Sequence, residues 1–526
     1  MASLFKVPTR NTGRAQDTKV AKKANSKMTR TAAATVRGGS GIIGRISTIN
    51  AMVIKHLGKY TEESTIISNK EDLHDYISAA ISNGVMSIDT ETTGLDPMLD
   101  EIAGICLYTP GQKTAYVPIN HISYITFLRI PEQVPVQDVR EELQRLADNN
   151  IKNIMFNGPF DIRFIRNQVG VYLDCWWDCS PASRLLNENE GDGNNGLKKL
   201  HQKYVLDGVG DAFKFDDLFK GIPFTQVPIK TGYLYAAHDA KITYELYKFQ
   251  EPFLTSTDPV CIQRGLEQVA WVFHNIEMPM VKVIADMEDR GITFDMEYCH
   301  SLSVKYNEKL QMCLQRFYDI CDMYSKDIQN YRDRHMEDCK LDNPININSP
   351  QQLAILLYDI LKISPPDPKS PRATGVEILA KIEDPIASAI LDYREMSKLI
   401  STYIDKMPEC VNPNDGKVHC KFNSYGAVTG RMSSSNPNLQ NIPSHNKDIR
   451  KMFTACSGTY IVDSNIQQDT EFFDVPIFRE VNTPSGWVFV QHLKQGDSVL
   501  CEDGCSYSIK SIVPISEYSI LRLYLC

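Results

Sequence analysis

The sequence predicts a mixed α/β domain, then a largely helical region, and a small all-β segment at the carboxyl-terminal end. Three observations carry this expectation. Between about Thr61 and residue 255, runs with helical spacing of apolar residues alternate with short strand-like runs, the pattern of a sheet with helices on its faces. From 256 to about 410 the apolar spacing is helical over long stretches. Beyond 465 the helical period is lost, and short strand-like runs are separated by Pro-Ser-Gly and Glu-Asp-Gly turns.

The first 50 residues carry ten Lys/Arg, Lys6 through Arg45, against the single acid Asp17; their net of +9 in a chain of net −9 leaves the remainder near −18. Without apolar periodicity, residues 1–60 read as a basic disordered tail, one able to hold nucleic acid loosely through phosphates or simply to stay solvated. An acidic body is compatible with a nucleic-acid enzyme, because clustered cation-binding carboxylates add negative charge. No run approaches the roughly 18 apolar residues of a spanning helix, and MASLFKVPTRNTGR lacks a secretory core. No membrane partner and a cytoplasmic location are therefore expected. The 14 cysteines have no paired zinc-ligand spacing and read as reduced packing thiols.

Within 61–255, Lys70 to Asn83 has the helical positions Leu73, Tyr76, Ile77, Ala80 and Ile81. VMSID, IAGICLYT, TAYVPI and NIMFN read as strands, and DVREELQRLADN as a helix before the last of them. Pro252 to Pro259 reads as a linker. Three helical runs follow, QVAWVFHNIEMPMVKVIADMEDRG, YCHSLSVKYNEKLQMCLQRFYDICDMY and QQLAILLYDILKI, before strand-like alternation at KVHCKFNSYGAV.

Chemistry concentrates in three places. In SIDTETTGLDP, Asp89 and Glu91 stand two apart on a strand, so both side chains leave one face. In FNGPFDIRFI, 72 residues after Asp89, a chain break precedes a helix carrying Asp161, with Phe160 and Phe164 on its apolar face. In YAAHDAKITYELY, Tyr235 and Asp239 stand four apart, on one side of a helix. Each piece alone is weak. Together, four carboxylates can hold two divalent ions about 4 Å apart, and Tyr235 could orient or deprotonate a water. With no His or Cys placed to favour zinc, the carboxylate oxygens suit Mg²⁺ or Mn²⁺.

These segments resemble the three exonuclease motifs of the DEDD superfamily in its tyrosine-bearing branch. The resemblance implies a ribonuclease H-like fold and 3′→5′ removal of nucleotides. It makes Asp89, Glu91, Asp161 and Asp239 metal ligands, Tyr235 the water-positioning residue and Asn157 a contact to the strand. Further on, IEMPMVKVIADMEDRGITFD and, above all, TGRMSSSNPNLQNIP (Thr429 to Pro443) resemble family A DNA polymerases of bacterial or phage type. The latter stretch is poor core material, rich in amides and hydroxyls suited to sugars, phosphates and base edges. By this resemblance Arg431, Asn436, Gln440 and Asn441 contact primer and template, and Arg450 lies near the palm.

The implied organisation is a tail (1–60), an exonuclease domain (61–255), a thumb-type helical region (256–410), the start of a palm (411–464) and a last segment (465–526). In GTYIVDSNIQQDT the family's metal-binding Asp falls at Asn465, with Asp463 two residues early. The segment from Asp469-Thr470 on resembles the amino-terminal blocks of an intein, although its expected first residue is Asn465 rather than Cys or Ser. The expected activities are a complete 3′→5′ proofreading exonuclease acting in DNA replication, and a DNA polymerase whose remaining palm a second polypeptide supplies through trans-splicing. DNA is the expected partner, in a bacterial or phage-infected cell. The alternatives are a stand-alone exonuclease acting on RNA or DNA, and a nucleic-acid-binding or self-processing module.

Overall fold

The computed structural model describes residues 42–186, 195–209, 219, 221–336, 338–424, 431–444 and 446–455, together with six strand segments between 472 and 525. The chain divides into two compact units, Met1–Gly291 with His419–Gln440, and Ile292–Val418 with Asn441–Cys526.

The first unit is built on a six-stranded sheet of β1 (Ser64–Ile66), β2 (Val85–Thr92), β3 (Ile102–Tyr108), β4 (Thr114–Pro118), β5 (Lys152–Met155) and β6 (Trp177–Asp178), ordered β1-β4-β3-β2-β5-β6. Strands β2, β3 and β4 form an antiparallel meander, while β5 and β6 run parallel to β2. This is a mixed α/β sheet of the kind expected. The helix Lys70–Asn83 starts where Asn69 Oδ1 accepts the Asp72 amide at 2.8 Å and stops at Gly84, whose φ of 67° suits a residue without Cβ.

Alternation along the strands divides two cores. Met86, Ile88, Ile105, Leu107, Ala115 and Val117 join the helices Lys70–Asn83 and Val136–Asp148 on one face. Cys106 and Tyr116 face the other way, toward the helices Ile42–Leu57 and Ile229–Leu254. Each fully buried Ile or Leu here contributes roughly 1.5–3 kcal/mol.

Three expectations are corrected. The helix Ile42–Leu57 occupies the last part of the supposed disordered tail, burying Ile46, Ile49, Val53 and Leu57 against the helix Ile229–Leu254; residues 1–41 lie outside the described residues. That long helix runs on through Pro252 to Leu254, giving up one i→i−4 backbone bond near its end rather than stopping there, so the break expected over 252–259 narrows to 255–258. The first compact unit, finally, continues past 255: the helix Met278–Arg290 packs on the helix Gly158–Phe164.

The second unit contains the helices Met296–Met323 and Pro385–Leu399, packed together around Phe317, Leu353, Leu356, Leu357, Ile386 and Ile390. A three-stranded sheet pairs Ile292–Phe294 with Phe453–Thr454 and Lys417–Val418. Its last described elements are strands only: Phe472–Pro476, Ile520–Leu525, Ser506–Ile515 and Ser498–Leu500 in one sheet, and Glu480–Thr483 with Gly486–Phe489 in another. Asp463, Asn465, Asp469 and Thr470 lie outside the described residues.

Candidate active site

Strand β2 delivers the first two acids. Asp89 stands opposite Cys106, and Glu91 opposite Gly104, across the antiparallel pair with β3. Ligand atoms of Asp89, Glu91 and Cys106 all lie within 4.8 Å of one another. Gly104 is required here: a Cβ at this position would come within 2.4 Å of the Tyr116 hydroxyl. The empty position lets the Tyr116 ring lie along the strand and share a hydrogen bond of 2.7 Å with His121 Nε2.

Thr90, between the two acids, faces the opposite side of β2. Its amide and hydroxyl both donate to Asp161 Oδ1, at 2.9 and 2.7 Å, so the helix Gly158–Phe164 is tied to the strand that carries the other carboxylates. Phe160 and Phe164 lie together, ring centroids 4.8 Å apart, as their spacing implied. Tyr235 and Asp239 come from the helix Ile229–Leu254 and are both buried. Tyr235 packs edge-on against Phe219 at 5.2 Å. Thus three separate elements bring the four acids and the tyrosine into one region, although Asp161 and Asp239 stand outside the tight Asp89–Glu91–Cys106 group.

Burial and mutual repulsion set the charge state. Desolvation raises Asp89 well above the usual carboxylate range, and the charges of Asp161, Asp239 and Glu91 add to it. Burial and then Asp239 push Glu91 up to about 8. Burial lifts Asp161 to about 7 against the two Thr90 hydrogen bonds. Asp239 is also raised by burial, with Lys198 pulling it back. Burial, followed by Asp239, raises Tyr235 and keeps its phenol protonated. Asp239 Oδ1 is buried with no hydrogen-bond partner. Buried, mutually repelling carboxylate oxygens, one of them unsatisfied, are the donors a hard divalent cation takes; the residues fit Mg²⁺ or Mn²⁺.

Sequence reading missed two members of this region. Lys198 Nζ bonds Asp239 Oδ2 at 2.8 Å and lies 3.6 Å from the centre of the Tyr235 ring; nothing in GLKKLHQKY marks this lysine over its neighbours. Cys106, assigned to packing, stands beside the acids, where burial and then the Glu91 charge raise its thiol pKa and keep it neutral. The β2–β3 pairing register is the signal that could have found it.

The remaining expected residues are arranged differently. Asn157 is exposed at φ 64°, its amide held at 2.8 Å by the buried Asp178 carboxylate, beside a cleft of about 450 Å³ that Asp178, Ser180, Glu277, Lys421 and Ser435 also line. Arg431, Asn436, Gln440, Asn441 and Arg450 are all exposed.

Fold and site together define a chain with a mixed α/β nuclease-type domain and polymerase-like helices. Two family models match it: "3'-5' exonuclease" over residues 64–254 and "DNA polymerase family A" over residues 315–469. Its first matched segment is therefore similar to a 3′-5′ exonuclease domain, and its second to part of a family A DNA polymerase. It is similar to DNA polymerase I of Chloroflexus aurantiacus, with 30% identity over 429 residues, 77% of this chain and 40% of the relative. The corresponding protein of Synechocystis sp. is 30% identical over 402 residues, 72% of this chain and 36% of the relative. The chain thus spans about 40% of the length of such relatives. The POL domain of Pol1 from M. smegmatis, solved in complex with DNA primer-template and dNTP, shares the fold with a TM-score of 0.53 at 18% identity, covering 74% of this chain and 58% of that one. Among the described residues no helix is long and apolar enough to cross a membrane.

Proposed function

We propose that the chain is the amino-terminal portion of a replicative family A DNA polymerase, with a two-metal proofreading exonuclease of the tyrosine-bearing DEDD type. The observation that carries this reading is the meeting of Asp89, Glu91, Asp161, Asp239 and Tyr235 from three elements of the matched exonuclease domain. Asp89, Glu91, Asp161 and Asp239 would hold the two ions. Bound there, Mg²⁺ or Mn²⁺ would lower the pKa of a water so that, on losing a proton, it becomes the hydroxide nucleophile for a phosphodiester, and would stabilise the charge on the leaving oxygen. Tyr235, protonated well beyond neutral pH, orients that water by hydrogen bonding rather than taking its proton. Thr90 fixes Asp161, so its carboxylate is placed before any cation arrives.

Asn157 contacts the single strand entering this site. Arg431, Asn436, Gln440, Asn441 and Arg450 grip primer and template. The proposed order of domains is a basic tail, the exonuclease (61–255, joined in one compact unit by the helices Ile42–Leu57 and Met278–Arg290), the rest of the thumb region to 410, the palm start (411–464) and a last segment (465–526). For that last segment, the family A match ends at residue 469, and the described residues after it are strands only. This supports the reading of an intein-like fragment, with a second polypeptide completing the polymerase by trans-splicing in a bacterial or phage-infected cytoplasm.

The test is digestion of 5′-labelled single-stranded DNA by the purified chain with Mg²⁺. Shortening from the 3′ end is expected, with DNA preferred over RNA. Asp89→Ala should lower the rate on the order of 10³-fold, since several kcal/mol of charge stabilisation are removed; an unchanged rate in that variant rejects the site.

A further inference from the structure

The four carboxylates repel one another, yet the structure already contains a cation among them. Lys198, on the helix Leu197–Tyr204, bonds Asp239 Oδ2 at 2.8 Å and lies over the Tyr235 ring, 3.6 Å from its centre. Asp239 therefore uses one oxygen on the lysine while the other, Oδ1, is buried and unsatisfied. A lysine used only for structure would be expected to satisfy a carboxylate that is otherwise complete.

We propose that Lys198 is a resident counter-ion: it holds Asp239 in the cation-free protein, competes with the divalent cation for that carboxylate, and once displaced becomes a positive charge available to the substrate phosphate. The inference rests on the two-metal reading above and assigns a positioning residue to it. The physical basis is exchange of one charge for another. An ammonium on a flexible four-carbon stem, 21% exposed, can leave Asp239 without unfolding its helix. Cation binding must then break an ion pair whose coupling lowers the apparent affinity, by about fivefold or more at the usual size of such couplings. What the protein gains is a site that keeps its buried carboxylates in place while empty.

The experiment is titration of the full chain with Mn²⁺ in the absence of DNA, reading the free ion by electron paramagnetic resonance, for wild type, Lys198→Met and Lys198→Arg. Lys198→Met should tighten Mn²⁺ binding about fivefold or more, whereas Lys198→Arg, which keeps the charge, should stay within about twofold of wild type. In a DNA digestion at saturating Mn²⁺, Lys198→Met should raise KM more than it lowers kcat. Unchanged or weaker Mn²⁺ binding by Lys198→Met, or equal tightening by Lys198→Arg, overturns the proposal. Should Lys198→Met not fold, Lys198→Gln removes the same charge and is read by the same criteria. The two readings fail separately: the binding pattern without any DNA shortening rejects the nuclease and keeps the counter-ion, and shortening without the pattern does the reverse.

Discussion

The acids of the exonuclease domain and the polar stretch from Arg431 to Arg450 are both proposed to meet DNA, but the chain treats them in opposite ways. Glu91, Asp161 and Asp239 are buried, with raised pKa values and, in Asp239, an unsatisfied oxygen. Arg431, Asn436, Gln440, Asn441 and Arg450 are exposed. Burying charge costs free energy that the rest of the fold must offset, whereas an exposed amide or guanidinium costs almost nothing until a partner arrives. The first region should therefore show itself in stability measurements, and the second only in binding.

The largest expected effect probes the scaffold behind the acids. Arg163, on the helix that carries Asp161, is buried and bonds Glu288 at 2.5 Å and Asp289 at 2.6 Å on the helix Met278–Arg290. Glu288 also accepts the Phe422 amide at 2.7 Å. Arg163→Met leaves Glu288 buried without its cation, and urea denaturation should report a loss of about 3–5 kcal/mol. Arg431→Met, measured in the same way, should stay within about 0.5 kcal/mol of wild type. A loss below about 1 kcal/mol for Arg163→Met would erase the contrast.

The next effect concerns pH and cations. Asp89, Glu91, Asp161 and Asp239 all have folded-state pKa values above the unfolded value of about 4. Their contribution to stability is therefore fully present below about pH 4 and is lost as pH rises through about 7 for Asp161 and about 8 for Glu91. With EDTA present, Tm should fall between pH 5.5 and pH 8. Added Mg²⁺ should restore it, by about 2.7 kcal/mol at 100 times Kd, and should do so far more at pH 8 than at pH 5.5. An Mg²⁺ effect equal at both values would mean that these carboxylates do not bind it.

Much of this was legible beforehand, and the failures have physical reasons. The strand pair of Asp89 and Glu91 and the helical pair of Tyr235 and Asp239 follow from periods of 2 and 3.6, which sequence displays directly. Asp161 needed only the Asn-Gly-Pro break before its helix. Lys198 and Cys106 reach the acids through tertiary packing and strand register, which no local pattern encodes. The helix Ile42–Leu57 was a different kind of error. Ile46, Ile49, Val53 and Leu57 have the spacing of an amphipathic face, but the basic residues that precede them drew the whole stretch into one tail. Likewise, Pro252 reads as a breaker, yet the helix continues past it to Leu254 at the cost of one backbone hydrogen bond, because its neighbours are held by packing.

The smallest expected effect tests the exposed half of the contrast. Arg431 is exposed, so replacing it changes little in the folded chain, and any consequence must come from DNA. If its guanidinium meets a phosphate, Arg431→Met removes one released counterion, and the slope of log K against log salt for primer-template binding should become shallower by about 1. Affinity should fall by about 1 kcal/mol at moderate salt and by less at high salt, because screening weakens the contact in the wild-type chain too. A contact to a base edge would behave otherwise, weakening binding in a sequence-dependent way with the slope preserved. An unchanged slope together with unchanged affinity would leave Arg431 as an ordinary surface residue, and exposure in this stretch would then carry no functional meaning.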